Sequence, residues 1–90
     1  MNRIIVTVYV KKDCEECAKV LQILKALEKS HPHHTVIIDI DEDPGFKGQF
    51  QDPVPYLQIG PYQLQNSIDR KRIIIALNAA KDRAKQINNL

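Results

Sequence analysis

The sequence predicts an α/β domain in which a mixed four-stranded sheet is flanked by helices, in the order β-α-β, a short helix, then β-β-α. Two observations predict it. Apolar, β-branched runs at Arg3–Val10 and Thr35–Ile40 are separated by a helical apolar stripe, which makes a parallel βαβ unit. Two shorter runs joined at Gly60-Pro61 then precede a long helical stripe, which adds a hairpin and a closing helix. At 90 residues the chain makes one domain, 1–90, with a single modest core.

In the first strand, Ile4, Val6, Val8 and Val10 fall on one face and Ile5 and Tyr9 on the other. Both faces are largely apolar, as in a central strand covered on both sides. Cys14 to Lys29 reads as a helix, with Cys17, Val20, Leu21, Leu24 and Leu27 at helical spacing and Ile23 and Ala26 widening the stripe. Asp13 is its expected N-cap, and Glu15 and Glu16 suit its first turn. Pro32 breaks the pattern, and the HPHH stretch around it reads as a solvated loop. Thr35–Ile40 follows as a second strand, parallel to the first through a right-handed crossover. "DEDPGFKGQF" suits a short helix capped by Asp43 with Pro44 in its first position, weakened by Gly45 and Gly48. Pro55–Ile59 and Tyr62–Gln65 are short strands, the second with Gln63 and Gln65 on a wet face. The last helix starts at Ser67 or Ile68 and carries Ile73, Leu77, Ala80, Ala84 and Ile87 on its apolar side.

Charged residues at 27% and hydrophobic ones at 43% are an ordinary soluble composition, and a net charge of +2 is too small to argue for nucleic acid or an acidic partner. The longest apolar runs, Ile4–Val10 and Ile73–Leu77, fall far short of the roughly 20 residues a membrane span needs. The N-terminal apolar stretch is short and lacks a small-residue cleavage site, so a cytoplasmic protein without a membrane role is expected. On the last helix Arg70, Lys71, Arg72, Lys81, Arg83 and Lys85 outweigh Asp69 and Asp82. Such a face is a solvated surface or a protein-docking one; no aromatics interleave with the basic residues as a single-stranded nucleic-acid platform requires.

The chemistry concentrates in KKDCEECAK, Lys11 to Lys19, which holds the chain's only cysteines, Cys14 and Cys17. Three residues apart at a helix start, they lie on one side with their sulfurs in reach of each other. Cys14 is nearest the free N–H groups and positive dipole end, which favour a thiolate; Cys17, one turn in, lies on the apolar stripe. An attackable sulfur and a shielded one is the asymmetry a dithiol exchange centre uses. Three other readings compete. A structural staple would close only four residues and be kept reduced in a cytosol. A zinc site would draw on His31, His33 and His34, but fourteen residues of mostly helix separate Cys17 from His31, a span of roughly 20 Å. The third is a pair of ordinary buried cysteines.

A C-x-x-C at a strand-to-helix junction in a βαβ unit resembles the thioredoxin-like signature. "VTVYVKKDCEECAKVLQIL" resembles the first strand, active-site loop and first helix of glutaredoxins and small thioredoxin-like proteins. "IIDIDEDPGF" resembles their second strand and the approach to the second helix, and "DPVPYLQIG" their cis-proline segment. The resemblance covers essentially the whole chain and implies a thioredoxin-like fold. It also implies a thiol–disulfide oxidoreductase in which Cys14 is the nucleophile and Cys17 the resolving thiol, acting on protein or small-molecule disulfides with a thiol reductant. A thioredoxin-fold binding module with little turnover is the rival reading. No resident cofactor or metal is implied; glutathione enters as a candidate co-substrate. Val54-Pro55 matches the cis bond, and Pro55 exposes the Val54 backbone for pairing with an extended substrate. Lys11 matches a lysine that contacts glutathione.

The chain departs from that pattern in telling places. Glu15-Glu16 stands where glutaredoxins carry an aromatic next to a proline and thioredoxins Gly-Pro. The glycine pair that helps hold glutathione falls, counted from the proline, at Gln65-Asn66; the threonine before Val-Pro is Pro53; Asp69 is one place off the usual acidic position. Half of the glutathione site is therefore absent, and a thioredoxin-like disulfide reductase is the reading beside it. Asp13, Glu15 and Glu16 disfavour a thiolate where Lys11, Lys12 and Lys19 favour it. With the glutamates closest in sequence, a weakly stabilised thiolate and a reducing pair are expected.

Overall fold

The computed structural model describes residues 4–42 and 53–88, with side chains of the last helix described as far as Arg83. The strands are β1 (Ile4–Val10), β2 (His33–Asp39), β3 (Tyr56–Ile59) and β4 (Tyr62–Gln65); the helices are α1 (Glu15–Ala26) and α2 (Arg70–Asn88). They form an α/β fold with one mixed four-stranded sheet in the order β2-β1-β3-β4. β1 runs parallel to β2 and antiparallel to β3, as the crossover and hairpin require. The short helix expected over DEDPGFKGQF lies, from Asp43 on, outside the described residues.

β1 is central, and its Val6, Val8 and Val10 side chains are buried in one cluster with Leu57 and Ile59 of β3. Cys17, Val20, Leu24 and Leu27 from the α1 segment join that cluster, as do Ile73, Ala76, Leu77 and Ala80 of α2. Both described helices thus cover the same face. The expectation that β1 is covered on both sides is not met among the described residues. On the opposite face Ile5 is 56% exposed and Tyr9 packs edge-on against Tyr56 across the β1–β3 pair, ring centroids 5.5 Å apart.

Several boundaries differ from the sequence reading, among them the end of α1 at Ala26 rather than Lys29, the end of β2 at Asp39 rather than Ile40 and the start of β3 at Tyr56 rather than Pro55. β2 begins at His33, not Thr35, because the parallel register pairs Ile4 with His33 and uses the full length of β1. His33 is accordingly buried, 2% exposed, with its Nδ1 2.7 Å from the His31 carbonyl oxygen, so the HPHH stretch is only partly a solvated loop. α2 begins at Arg70: the Asp69 carboxylate accepts from the Arg72 N–H at 2.8 Å, and the Asp69 carbonyl accepts from the Ile73 N–H, the pattern of an N-cap. In the β3–β4 hairpin Gly60 supplies a positive φ of 56°, and a Cβ there would meet the Ala80 Cβ at 3.3 Å.

Candidate redox site at the start of the first helix

β1 ends at Val10, and the chain turns through Lys11–Asp13 into α1. Asp13 takes a left-handed conformation, φ 55°, which places it outside the helix. The cap is Cys14 instead: its backbone is extended (φ −108°, ψ 103°), its carbonyl accepts from the Ala18 N–H, and its Sγ accepts from the Cys17 N–H at 3.1 Å. The N-cap side chain takes up an orphan donor of the first turn, and here that side chain is the sulfur itself. The Lys12 N–H donates to Asp41 Oδ2 at 3.2 Å, tying this loop to the end of β2.

Cys14 and Cys17 are joined in a disulfide with Cα atoms 5.2 Å apart. Cys14 is half-buried, whereas Cys17 is 3% exposed and belongs to the core. The pair has the asymmetry that its placement at the helix start suggested.

Two hollows flank the start of α1. One is open and is lined by Val10, Lys11, Asp13, Cys14, Glu15, Cys17, Ala18 and Leu21. The other, about 360 Å³, lies between α1 and the loops before β3 and α2. Glu16 and Val20 form its α1 wall, and Pro53, Val54, Pro55, Asn66, Ser67 and Ile68 the facing one. The Val54–Pro55 peptide is cis. The structure therefore brings Lys11 together with the cysteines, and Val54 and Pro55 together with Glu16, in two separate hollows.

Sequence reasoning named Val54 and Pro55 of the facing wall but missed the turn beside them. Asn66 and Ser67 both have positive φ, 60° and 53°, and Arg72 Nη1 donates to both of their carbonyl oxygens, at 3.1 Å for Ser67. Of the positions counted for a glycine pair, Gln65 closes β4 and only Asn66 is left-handed; the left-handed pair is Asn66-Ser67. Asp69 ahead of a helical run was the available signal for this turn. Among the described residues no three His, Cys, Asp or Glu side chains are grouped to hold a metal ion, and no helix is long and apolar enough to cross a membrane.

A family model described as "Glutaredoxin-like domain (DUF836)" matches residues 5–78. The chain belongs to this glutaredoxin-like family. Among solved structures it is similar to thioredoxin 1 from Thermosipho africanus TCF52B, at 16% identity and a TM-score of 0.67, covering 96% of this chain and 99% of that one. It is also similar to a malarial protein at 15% identity and a TM-score of 0.67, covering 88% and 98%. At those identities the likeness establishes the thioredoxin-like fold. No curated protein matches the chain. Membership of the glutaredoxin-like family and the thioredoxin fold together support a redox-type role, with Cys14 and Cys17 as the residues that carry a disulfide.

Proposed function

We propose that this glutaredoxin-like chain is a dithiol thiol–disulfide oxidoreductase working as a reductant of protein disulfides. The Cys14 thiolate attacks one sulfur of a substrate disulfide, forming a mixed disulfide and expelling the other substrate sulfur as thiolate. The Cys17 thiolate then attacks the Cys14 sulfur, releases the second substrate thiolate and leaves the Cys14–Cys17 disulfide. The substrate gains two electrons, and an external thiol reductant restores the dithiol. The observation that carries this reading is the inequality of the two sulfurs, Cys14 half-buried at the helix cap and Cys17 in the core.

Lys11 shares the hollow of Cys14 and would meet an acidic part of a thiol partner; Val54 and Pro55, at the bend before β3, would supply backbone groups along which a substrate can lie. The compartment that suits such a reductant is the cytoplasm, where thiol donors recycle it.

The test is reduction of insulin and of a small disulfide, with glutathione and thioredoxin reductase supplied in parallel as donors. Cys14→Ser is expected to abolish turnover, and Cys17→Ser to accumulate a mixed disulfide, both with the fold intact by circular dichroism. A wild type inactive with both donors favours a binding module instead.

A further inference from the structure

Glu15 and Glu16 are equivalent in sequence, but the fold separates them. Glu15 lines the open hollow with Cys14 and Cys17, whereas Glu16 lines the groove of Val54 and Pro55. Glu16 is the only charged side chain among the described residues lining that groove. The remaining walls are apolar at Val20, Pro53, Val54, Pro55 and Ile68, with Asn66 and Ser67 as polar members. At about 360 Å³ the groove is large enough to take a long side chain.

Apolar walls ending in one carboxylate match a Lys or Arg side chain, whose methylene stem packs while its charged head stays at the surface. A glutamate or aspartate side chain, or a glutathione carboxylate, meets the opposite situation. The internal partner of Glu16 is weak competition. Lys19 Nζ lies 3.4 Å from its Oε1, and both side chains are about two-thirds exposed, so the contact holds Glu16 in place only loosely. Arg72 is committed to the Asn66 and Ser67 carbonyl oxygens and does not line the groove.

We propose that Glu16 is a specificity-determining residue that selects disulfide substrates with a basic side chain close to the reacting cysteine. The inference rests on Cys14 and Cys17 being the exchange pair. Glu15, which lines the hollow of the cysteines and not this groove, is assigned no part in this choice.

The test uses the Cys17→Ser chain, which cannot resolve a mixed disulfide, and three peptides differing only in Lys, Ser or Glu beside a cysteine activated as its 2-thiopyridyl disulfide. Cys14 attacks the peptide sulfur, a Cys14–peptide disulfide forms, and pyridine-2-thione leaves and is followed by absorbance. Rate ratios between peptides are read, so a change in thiolate reactivity common to all three cancels. Two unit charges about 6 Å apart in water-like surroundings give about threefold per unit of peptide charge, hence about tenfold between the Lys and Glu peptides at low salt. The ratio is expected to fall toward one at high salt and in Glu16→Gln, to invert in Glu16→Lys, and to persist in Glu15→Gln. Equal rates with all three peptides, or a Lys preference that survives Glu16→Gln, overturn the inference while leaving the exchange reading standing. No reaction with any peptide removes both.

Discussion

At the scale of single residues, the two glutamates between the cysteines have separable consequences. Glu15 lines one hollow with Cys14 and Cys17, while Glu16 lines the neighbouring groove and meets Lys19. A carboxylate near a thiolate disfavours the reduced form and lowers the potential. Glu15→Gln is therefore expected to raise the potential of the Cys14–Cys17 couple, by on the order of 10 mV for a charge about 8 Å away in water-like surroundings. Glu16→Gln should shift it less. Equilibration with a glutathione redox buffer measures both, and a larger shift for Glu16 would contradict this division. The same scale holds a backbone prediction. Ser67 has φ 53°, a conformation that crowds the Cβ of an L-residue, whereas Asn66 beside it is of a type that tolerates it. Ser67→Gly is expected to stabilise the chain by about 0.5 kcal/mol, strain relief outweighing the added freedom of the unfolded chain, and Asn66→Gly by less. Urea midpoints at unchanged slope decide it; a destabilised Ser67→Gly chain would show that its hydroxyl contributes more than its strain costs. The sulfur pair was legible from spacing alone. The cap was not, because Asp13 and Cys14 can each follow a strand into a helix, and only the left-handed turn at Asp13 passes the role to the sulfur.

At the scale of elements, the strongly patterned segments were legible and their ends were not. β1, α1 and the β3–β4 hairpin follow from periodicity and from the Gly60-Pro61 turn. The start of β2 was hidden because histidine carries little strand preference and Pro32 signals a break. Pairing with β1 supplies what local sequence lacks, since Ile4↔His33 and Ile5↔His34 extend the ladder through both histidines. The strand alternates faces there, burying His33 and exposing His34. This makes two neighbouring histidines behave differently. His33→Ala removes a buried ring and its contact with the His31 carbonyl, and is expected to cost about 2–4 kcal/mol. His34→Ala should stay within about 0.5 kcal/mol of the parent. Equal, small effects on urea unfolding would mean that the HPHH stretch is a loop after all. In α2, similarly, the basic face is not uniform: Arg70, Lys71, Lys81 and Arg83 are exposed, but Arg72 braces the Asn66-Ser67 turn and is not free for docking.

At the scale of the whole molecule, redox poise and folding stability are two sides of one thermodynamic cycle. The unfolded chain forms the Cys14–Cys17 disulfide as an unconstrained four-residue loop, and the folded chain forms it between a capping sulfur and a core sulfur. Whatever the fold does to favour the disulfide over the dithiol, it must return as extra stability of the oxidised form. Strongly oxidising members of this fold owe their high potential to a stabilised reduced form, so their disulfide weakens the folded state. Here the acidic and basic groups around the pair in sequence are evenly matched, and Glu15 lines the same hollow as the cysteines, so the thiolate gains little from its surroundings beyond the helix cap. The oxidised chain is therefore expected to be the more stable of the two. Closing a four-residue loop sets the scale at about 2 kcal/mol, which for a two-electron couple corresponds to about 40 mV below an unconstrained pair. Urea unfolding of the oxidised chain and of the chain held reduced gives one side of the cycle; glutathione equilibration of the folded and urea-unfolded chains gives the other. A reduced chain that outlasts the oxidised one in urea would make this pair an oxidant and remove the case for a reductase.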